Sequence, residues 1–479
     1  MAAKHLELGE TALILSSTAH ASRLRVLALL VAVALFRAFA APAVARAQTP
    51  TTPPASAPSV AADSLSPDSL AARLARAEAA IAALRQQLAT ESQSTVHTRS
   101  RLQLDLTGRI ITNFFMTQGR ANVVDVPGTA LAPTAVREDD AFGVTVRQSR
   151  LGAILTVDGV LGGSFVGAVD MDFFGGVQNG PGDRRIFPEP RMRTTSGSLR
   201  WSRTEVMVGM EAPLVSQLNP VSLAASGIPL FSGSGNLWNW LGQLRVSQDV
   251  ATTTLGSTAV SWALQGAVMT PYAAVQASTE PDAVDAGERS NRPAFEGRLR
   301  AKWGDSVSRG SDESIGDGGG EIGVGVHQGW VSNGLGDLVT SYATTVDARL
   351  SFTSWLELRG EAYTGRLLRG LGGGGIGQAY GRPETGETIG PPVHDQAGWA
   401  QVNARVHPTL LAGAGCGLDV VDDDDRPTRR RNNSCAGHLL WRPSEPVLVG
   451  LEYRRIVTEF DPGVTGSARH LNLSIGFEF

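Results

Sequence analysis

From about residue 100 onward, several segments carry charged side chains of both signs at a spacing of two. Arg298, Arg300 and Lys302 are separated by single residues, as are Asp170 and Asp172, and Glu357, Arg359 and Glu361. A spacing of two places side chains on one face of a β-strand. A row of guanidinium and ammonium groups attracts carboxylates or phosphates, and Arg grips them with paired N–H donors. Acidic groups facing such a row across a narrow aqueous passage make a transverse field that orients solutes. The same alternation puts Arg150, Arg193, Glu211, Arg245, Arg349 and Arg405 in the water-facing register, with Glu296 and Asp347. Arg191 falls where the register is ambiguous. The competing reading for each is an ion pair that only solvates the wall.

Other chemistries find no support in the sequence. The eight His residues form no H-E-x-x-H cluster, and no G-x-S-x-G element occurs. No catalytic residue, metal ligand set or cofactor is assigned. Gly370 to Gly377 contains G-x-G-x-x-G, but it does not open a helix after a strand in a βαβ unit, so it reads as a loop. Asp422 to Asp425 is an acidic run beside Arg429, Arg430 and Arg431. It is either a calcium site or a solvated hairpin tip, and charge runs there are usually solvated. Cys416 and Cys435 flank that tip and form a candidate disulfide if the chain is exported. A formal charge of −4 gives no basic excess for nucleic acid.

The elements carrying these charges are amphipathic strands. In the last, Leu471, Leu473, Ile475, Phe477 and Phe479 alternate with His470, Asn472, Ser474, Gly476 and Glu478. One face suits lipid and the other water. About sixteen such segments follow one another, each long enough for the roughly 9–11 residues of a tilted membrane strand. They begin near Leu102, Phe142, Gly163, Arg191, Thr204, Leu241, Thr258, Arg292, Glu321, Val339, Trp355, Gln396, Thr409, Asn433, Val447 and Ala468. Short and long connections mostly alternate, as expected of inner turns and outer loops. The long polar stretch 304–319 falls where a short turn belongs. An even count sets both ends of the barrel on the periplasmic side. A barrel of this size is expected to keep an aqueous lumen. The loop from Ala212 to Trp240 is Gly-, Ser- and Leu-rich, and its length marks it as a candidate constriction folded into that lumen.

Upstream, Arg23 and Arg25 precede an apolar run from Val26 to Phe36, and Ala45-Arg46-Ala47 fits a cleavage site. Residues 1–47 therefore read as a signal peptide, and 48–65 as a Pro/Ser/Ala-rich linker. Within 66–92, Leu70, Leu74, Ala77, Ile81, Leu84 and Leu88 make a heptad seam. A lone helix this short is marginal in water, so the seam implies self-association as a coiled coil in the periplasm. The sequence-based fold is thus an all-β transmembrane barrel of about 16 antiparallel strands over 100–479, with an N-terminal α-helical coiled coil. Its surroundings are the lipid bilayer and lipopolysaccharide of an outer membrane.

An ordered set of segments resembles the DcaP-like trimeric porins. It comprises Arg147-Gln148-Ser149-Arg150-Leu151-Gly152, Val169-Asp170-Met171-Asp172-Phe173-Phe174-Gly175 and Gly360-Glu361-Ala362-Tyr363-Thr364-Gly365-Arg366. Gly398-Trp399-Ala400-Gln401, Gly450-Leu451-Glu452-Tyr453 and the terminal Phe479 complete it. The resemblance runs over most of residues 65–479, and Arg150 and Asp172 fall on its motif positions. It implies a sixteen-stranded barrel, a coiled-coil extension, a homotrimer and passage of small anionic organic acids. The segment 304–319 and an acidic charge after loss of residues 1–47 depart from the pattern. The function expected is passive diffusion of small polar, foremost anionic, solutes, without enzymatic activity. The alternatives are a phosphate-type selective porin, a structural or adhesive barrel, and a barrel enzyme.

Overall fold

The period-two pattern folds as one continuous antiparallel sheet. The computed structural model describes residues 95–97, 102–134, 140–176, 182–275, 284–304 and 319–479. The signal-peptide, linker and coiled-coil assignments lie outside the described residues, as does most of 304–319.

Sixteen strands form the sheet. They are β1 (Leu102–Gln118), β2 (Ala141–Thr145 and Arg150–Val160), β3 (Gly163–Gly175), β4 (Glu189–Arg200) and β5 (Thr204–Glu211). Then come β6 (Leu241–Leu255), β7 (Thr258–Met269), β8 (Ala294–Trp303), β9 (Gly320–Ser332) and β10 (Leu338–Thr353). The last are β11 (Leu356–Arg366), β12 (His394–His407), β13 (Leu410–Val421), β14 (Arg429–Trp441), β15 (Val447–Phe460) and β16 (Val464–Glu478). The two pieces of β2 count as one strand, because both pair with β1, as Thr145 with Asn113 and Arg150 with Arg109. Thr95–His97 adds a short antiparallel pairing to the start of β1.

Each strand pairs with its neighbours in sequence, and β16 pairs with β1 to close the barrel. Phe479 completes the seam by exchanging backbone hydrogen bonds with Gly108, 2.9 Å each way. Closure pairs the first strand with the last along the seam, the condition for a sheet to sit in hydrocarbon. The segment starts read from sequence fall within a few residues of the observed strands. The Arg191 ambiguity has a cause: the β3–β4 register shifts between Asp170 and Met171 and again before Gly175.

The apolar set of each strand points outward. Leu106, Ile110, Phe114, Leu264, Leu299, Val346, Leu451 and Leu473 are all exposed. Rings flank this belt at both ends, with Trp201, Phe352, Trp355, Trp441 and Phe477 at the short-turn end and Phe142, Tyr272 and Phe295 at the long-loop end. A wide apolar surface between aromatic girdles suits a bilayer, not water. β8 ends at Trp303 and β9 begins at Gly320, paired antiparallel at the short-turn end, so the even strand count of the described residues holds.

Cys416 and Cys435 are register partners on β13 and β14, in the outward-facing row of each strand. They are joined as a disulfide, with Cα atoms 4.0 Å apart.

Candidate functional site

The lumen is not the open aqueous interior expected from barrel size. Residues 212–240 fold inward and run along much of the inner wall. Their backbone polar groups leave water, so each needs a partner, and lumen-facing side chains supply them. Leu214 N donates to Glu296 Oε2 at 2.6 Å, and Leu218 N to Glu361 Oε1 at 2.9 Å. Val221 exchanges two hydrogen bonds with the Gln401 side chain, at 2.7 and 3.0 Å. Ser226 and Gly227 both donate to Gln148 Oε1 at 2.9 Å. Asn432 donates to the Gly233 carbonyl at 2.7 Å. These anchors belong to β8, β11, β12, the bulge within β2, and β14.

Apolar contacts seat the same loop. Leu214, Val215 and Leu237 pack with Leu368 and Leu371 from the loop 367–393 and with Met269 and Tyr363 of the wall. Val221 and Leu223 pack on Ile111, Leu411, Leu440 and Leu448, and Leu230 and Phe231 pack on Trp399. Bare backbone admits close approach: a Cβ on Gly417 would lie 2.1 Å from the Ser234 carbonyl oxygen. The Gly370 to Gly377 segment forms two short 3-10 turns inside the barrel.

This filling sorts the sequence-selected charges. Arg298 is 2% exposed and bonds Asp347 at 2.5 Å, Glu321 at 2.8 Å and Gln265 at 2.9 Å. Arg300 and Lys302 share its face but are only half-buried. Arg300 lies 3.7 Å from Asp249. Arg359 and Arg349 converge on Glu357 at 2.5 and 2.7 Å, and Arg359 also donates to the Asn219 carbonyl. Buried Arg245 bonds Gln243 and the Ala212 carbonyl. Glu211 Oε1 accepts from Ala212 N. Arg405 is exposed near the short-turn end. At the 422–428 tip, Asp423 pairs with Arg430 and Asp425 accepts from His394.

A different group converges. Arg150, Asp172 and Arg191 lie side by side in register across β2, β3 and β4. Arg191 meets Asp172 at 2.6 Å, and Arg150 meets Asp170 at 2.9 Å. Arg193 reaches both carboxylates, at 3.2 and 3.5 Å. Three guanidinium groups thus share two carboxylates, a net positive cluster. Aromatic rings stack between them. Arg147 lies 4.1 Å from the Phe174 ring centre, and Arg191 lies 5.2 Å from Phe174 and 5.3 Å from Trp240. Arg193 lies 4.6 Å from Trp240. Cation–π contacts of this kind add about 0.5–2 kcal/mol each and hold the planes in a ladder. Arg147 is further fixed by Asp125, 2.6 Å from its Nε.

Above the ladder, at the long-loop end, is a cavity of about 260 Å³ lined by Arg147, Arg184, Arg185, Arg191, Asn122 and Phe174. Such a volume holds a small solute, and its wall carries four guanidinium groups. Arg184 and Arg185 come from the one-turn helix Asp183–Ile186.

Comparison with solved structures places this architecture. The outer membrane channel DcaP of Acinetobacter baumannii superposes with a TM-score of 0.59 over 81% of this chain and 100% of that one, at 14% identity. The chain has the fold of the DcaP channel. OmpF of Salmonella typhi, solved with daunomycin, gives a TM-score of 0.50 over 80% of this chain and all of that one, at 10% identity. No protein-family model matches the sequence, and no curated protein does.

Sequence reasoning selected Arg150, Asp170, Asp172, Arg191 and Arg193 but assigned no role to Arg147, Phe174, Arg184 or Arg185. Arg147 sits in the β2 bulge, where alternation is interrupted. The signal for a covered lumen was present at Ile110-Ile111, Phe114-Phe115 and Leu439-Leu440. Apolar residues on both faces there mean that the inner one needs a cover.

Proposed function

We propose that this chain is an outer-membrane porin for passive diffusion of small polar solutes, anionic ones foremost. The observation that carries the reading is the Arg147–Phe174–Arg191–Trp240–Arg193 ladder beside an arginine-lined cavity, inside a closed barrel with an apolar outer belt. An excess of guanidinium over carboxylate favours anions, and planar donor pairs suit carboxylate and phosphate oxygens. Rings between the arginines keep them apart and oriented, so a solute passes from one to the next without deep trapping. Conduction requires such weak, successive sites. On this reading Arg150, Arg191 and Arg193 line the passage, and Asp170 and Asp172 supply the opposed charge.

The same reading includes export by residues 1–47 and a homotrimer held in part by the periplasmic helix 66–92. Its test is liposome swelling driven by a small dicarboxylate and by a diamine of similar size. Faster entry of the dicarboxylate is expected, and equal or reversed rates overturn the preference for anions.

The dense packing of 212–240 supports a second reading, a closed barrel that tethers surface to periplasm. Absence of any ion current from reconstituted protein would favour it.

A further inference from the structure

The outer surface carries a second arginine feature. Cys435, Arg455, Arg469 and Gln118 form one row, in register across β14, β15, β16 and β1. Arg455 and Arg469 are direct cross-strand partners, and both are exposed on the outward face. Like charges directly opposite each other destabilise a strand pair. The outward carboxylate of this face, Glu459, lies opposite Arg431 instead.

Depth identifies what meets the pair. Below it the outward row is apolar, through Tyr453 and Leu471, then Leu451 and Leu473, to Val447 and Phe477. Eight residues separate Phe477 from Arg469, about 27 Å of strand at roughly 3.4 Å per residue. A tilt of about 35–45° reduces that to about 20 Å of height, most of a belt about 25 Å tall. The two guanidinium groups therefore sit where hydrocarbon gives way to headgroups, on the leaflet at the long-loop end. Above them Asn433, Val457 and Ser467 form a more polar row.

We propose that Arg455 and Arg469 dock the phosphate of an anionic lipid headgroup in that outer leaflet. The proposal rests on the outer-membrane reading. One phosphate spanning both arginines removes their repulsion and satisfies two donor forks at once. The neighbouring disulfide between Cys416 and Cys435 ties β13 to β14 beside this row.

The test uses the full-length oligomer in detergent, titrated with lipid A carrying both phosphates and with the same lipid stripped of phosphate. Bound lipid is read by native mass spectrometry. The phosphorylated lipid should bind more tightly. Arg455→Gln with Arg469→Gln should weaken that binding about thirtyfold, taking ~1 kcal/mol for each basic side chain near the surface. Arg455→Lys with Arg469→Lys should keep most of it. Equal binding of the two lipids, or unchanged affinity in the Gln pair, overturns the proposal. Displacement by inorganic phosphate at matched concentration marks a free-ion site and also overturns it. Loss of the oligomer with lipid affinity intact assigns the pair to a subunit contact. Ion conductance of the Gln pair should equal that of the native protein. A native protein without conductance would fail the porin reading and leave the lipid titration standing.

Discussion

Arg298 shows what burial does to a lumen-facing charge. Its guanidinium is divided among Asp347, Glu321 and Gln265 beneath the inward-folded chain. Arg298→Gln would leave Asp347, itself 1% exposed, without its cation. Breaking a buried pair in this way costs roughly 3–5 kcal/mol. The expected outcome is a lower denaturation midpoint on refolding, with ion selectivity unchanged. A shift in reversal potential would instead place Arg298 in the passage. At this scale the sequence was half legible. Alternation identified which side chains face inward, because a period of two is local. It could not separate Arg298 and Arg193, both covered by the loop, from Arg191, which stays partly exposed against Phe174 and Trp240. That distinction depends on where the loop 212–240, remote in sequence from Arg298, comes to rest.

At the scale of elements, strands and loops differ in legibility for a physical reason. A one-residue slip turns every side chain to the wrong face, so the apolar pattern specifies each strand strongly. A loop's path is set by scattered anchors. Residues 212–240 are held by Glu296, Glu361, Gln401, Gln148 and Asn432, which are far apart in sequence. The loop's composition suggested inward folding, but its route could not be read. Gly417 provides a test. A side chain there must displace the backbone at Ser234. Gly417→Val should loosen the loop at a cost of about 1–3 kcal/mol, typical of overpacking. Single-channel conductance should rise. An unchanged conductance would mean that this part of the loop does not limit the passage. The Cys416–Cys435 bridge is a separate device that closes a span of 19 residues. Cys416→Ser with Cys435→Ser should lose roughly 3 kcal/mol by loop entropy. Thermal unfolding should therefore begin earlier, while conductance stays the same.

For the whole molecule, closure is the decisive property. Phe479 pairs with Gly108 and β16 with β1, so every strand has two neighbours and the outward apolar belt is continuous. On the proposed reading, assembly of copies draws on a different part of the chain, the heptad seam read from the sequence at residues 66–92. Deleting residues 64–92 should weaken the oligomer in native electrophoresis, and an unchanged oligomer would show the helix dispensable. The central claim concerns the interior: a passage in which arginines outnumber carboxylates around Asp170 and Asp172. Its most direct test is the reversal potential of the reconstituted protein in a planar bilayer under a salt gradient. The account predicts an anion-selective potential that moves toward zero in Arg191→Gln with Arg193→Gln. A cation-selective potential in the native protein, or one unmoved by that pair of substitutions, would contradict it.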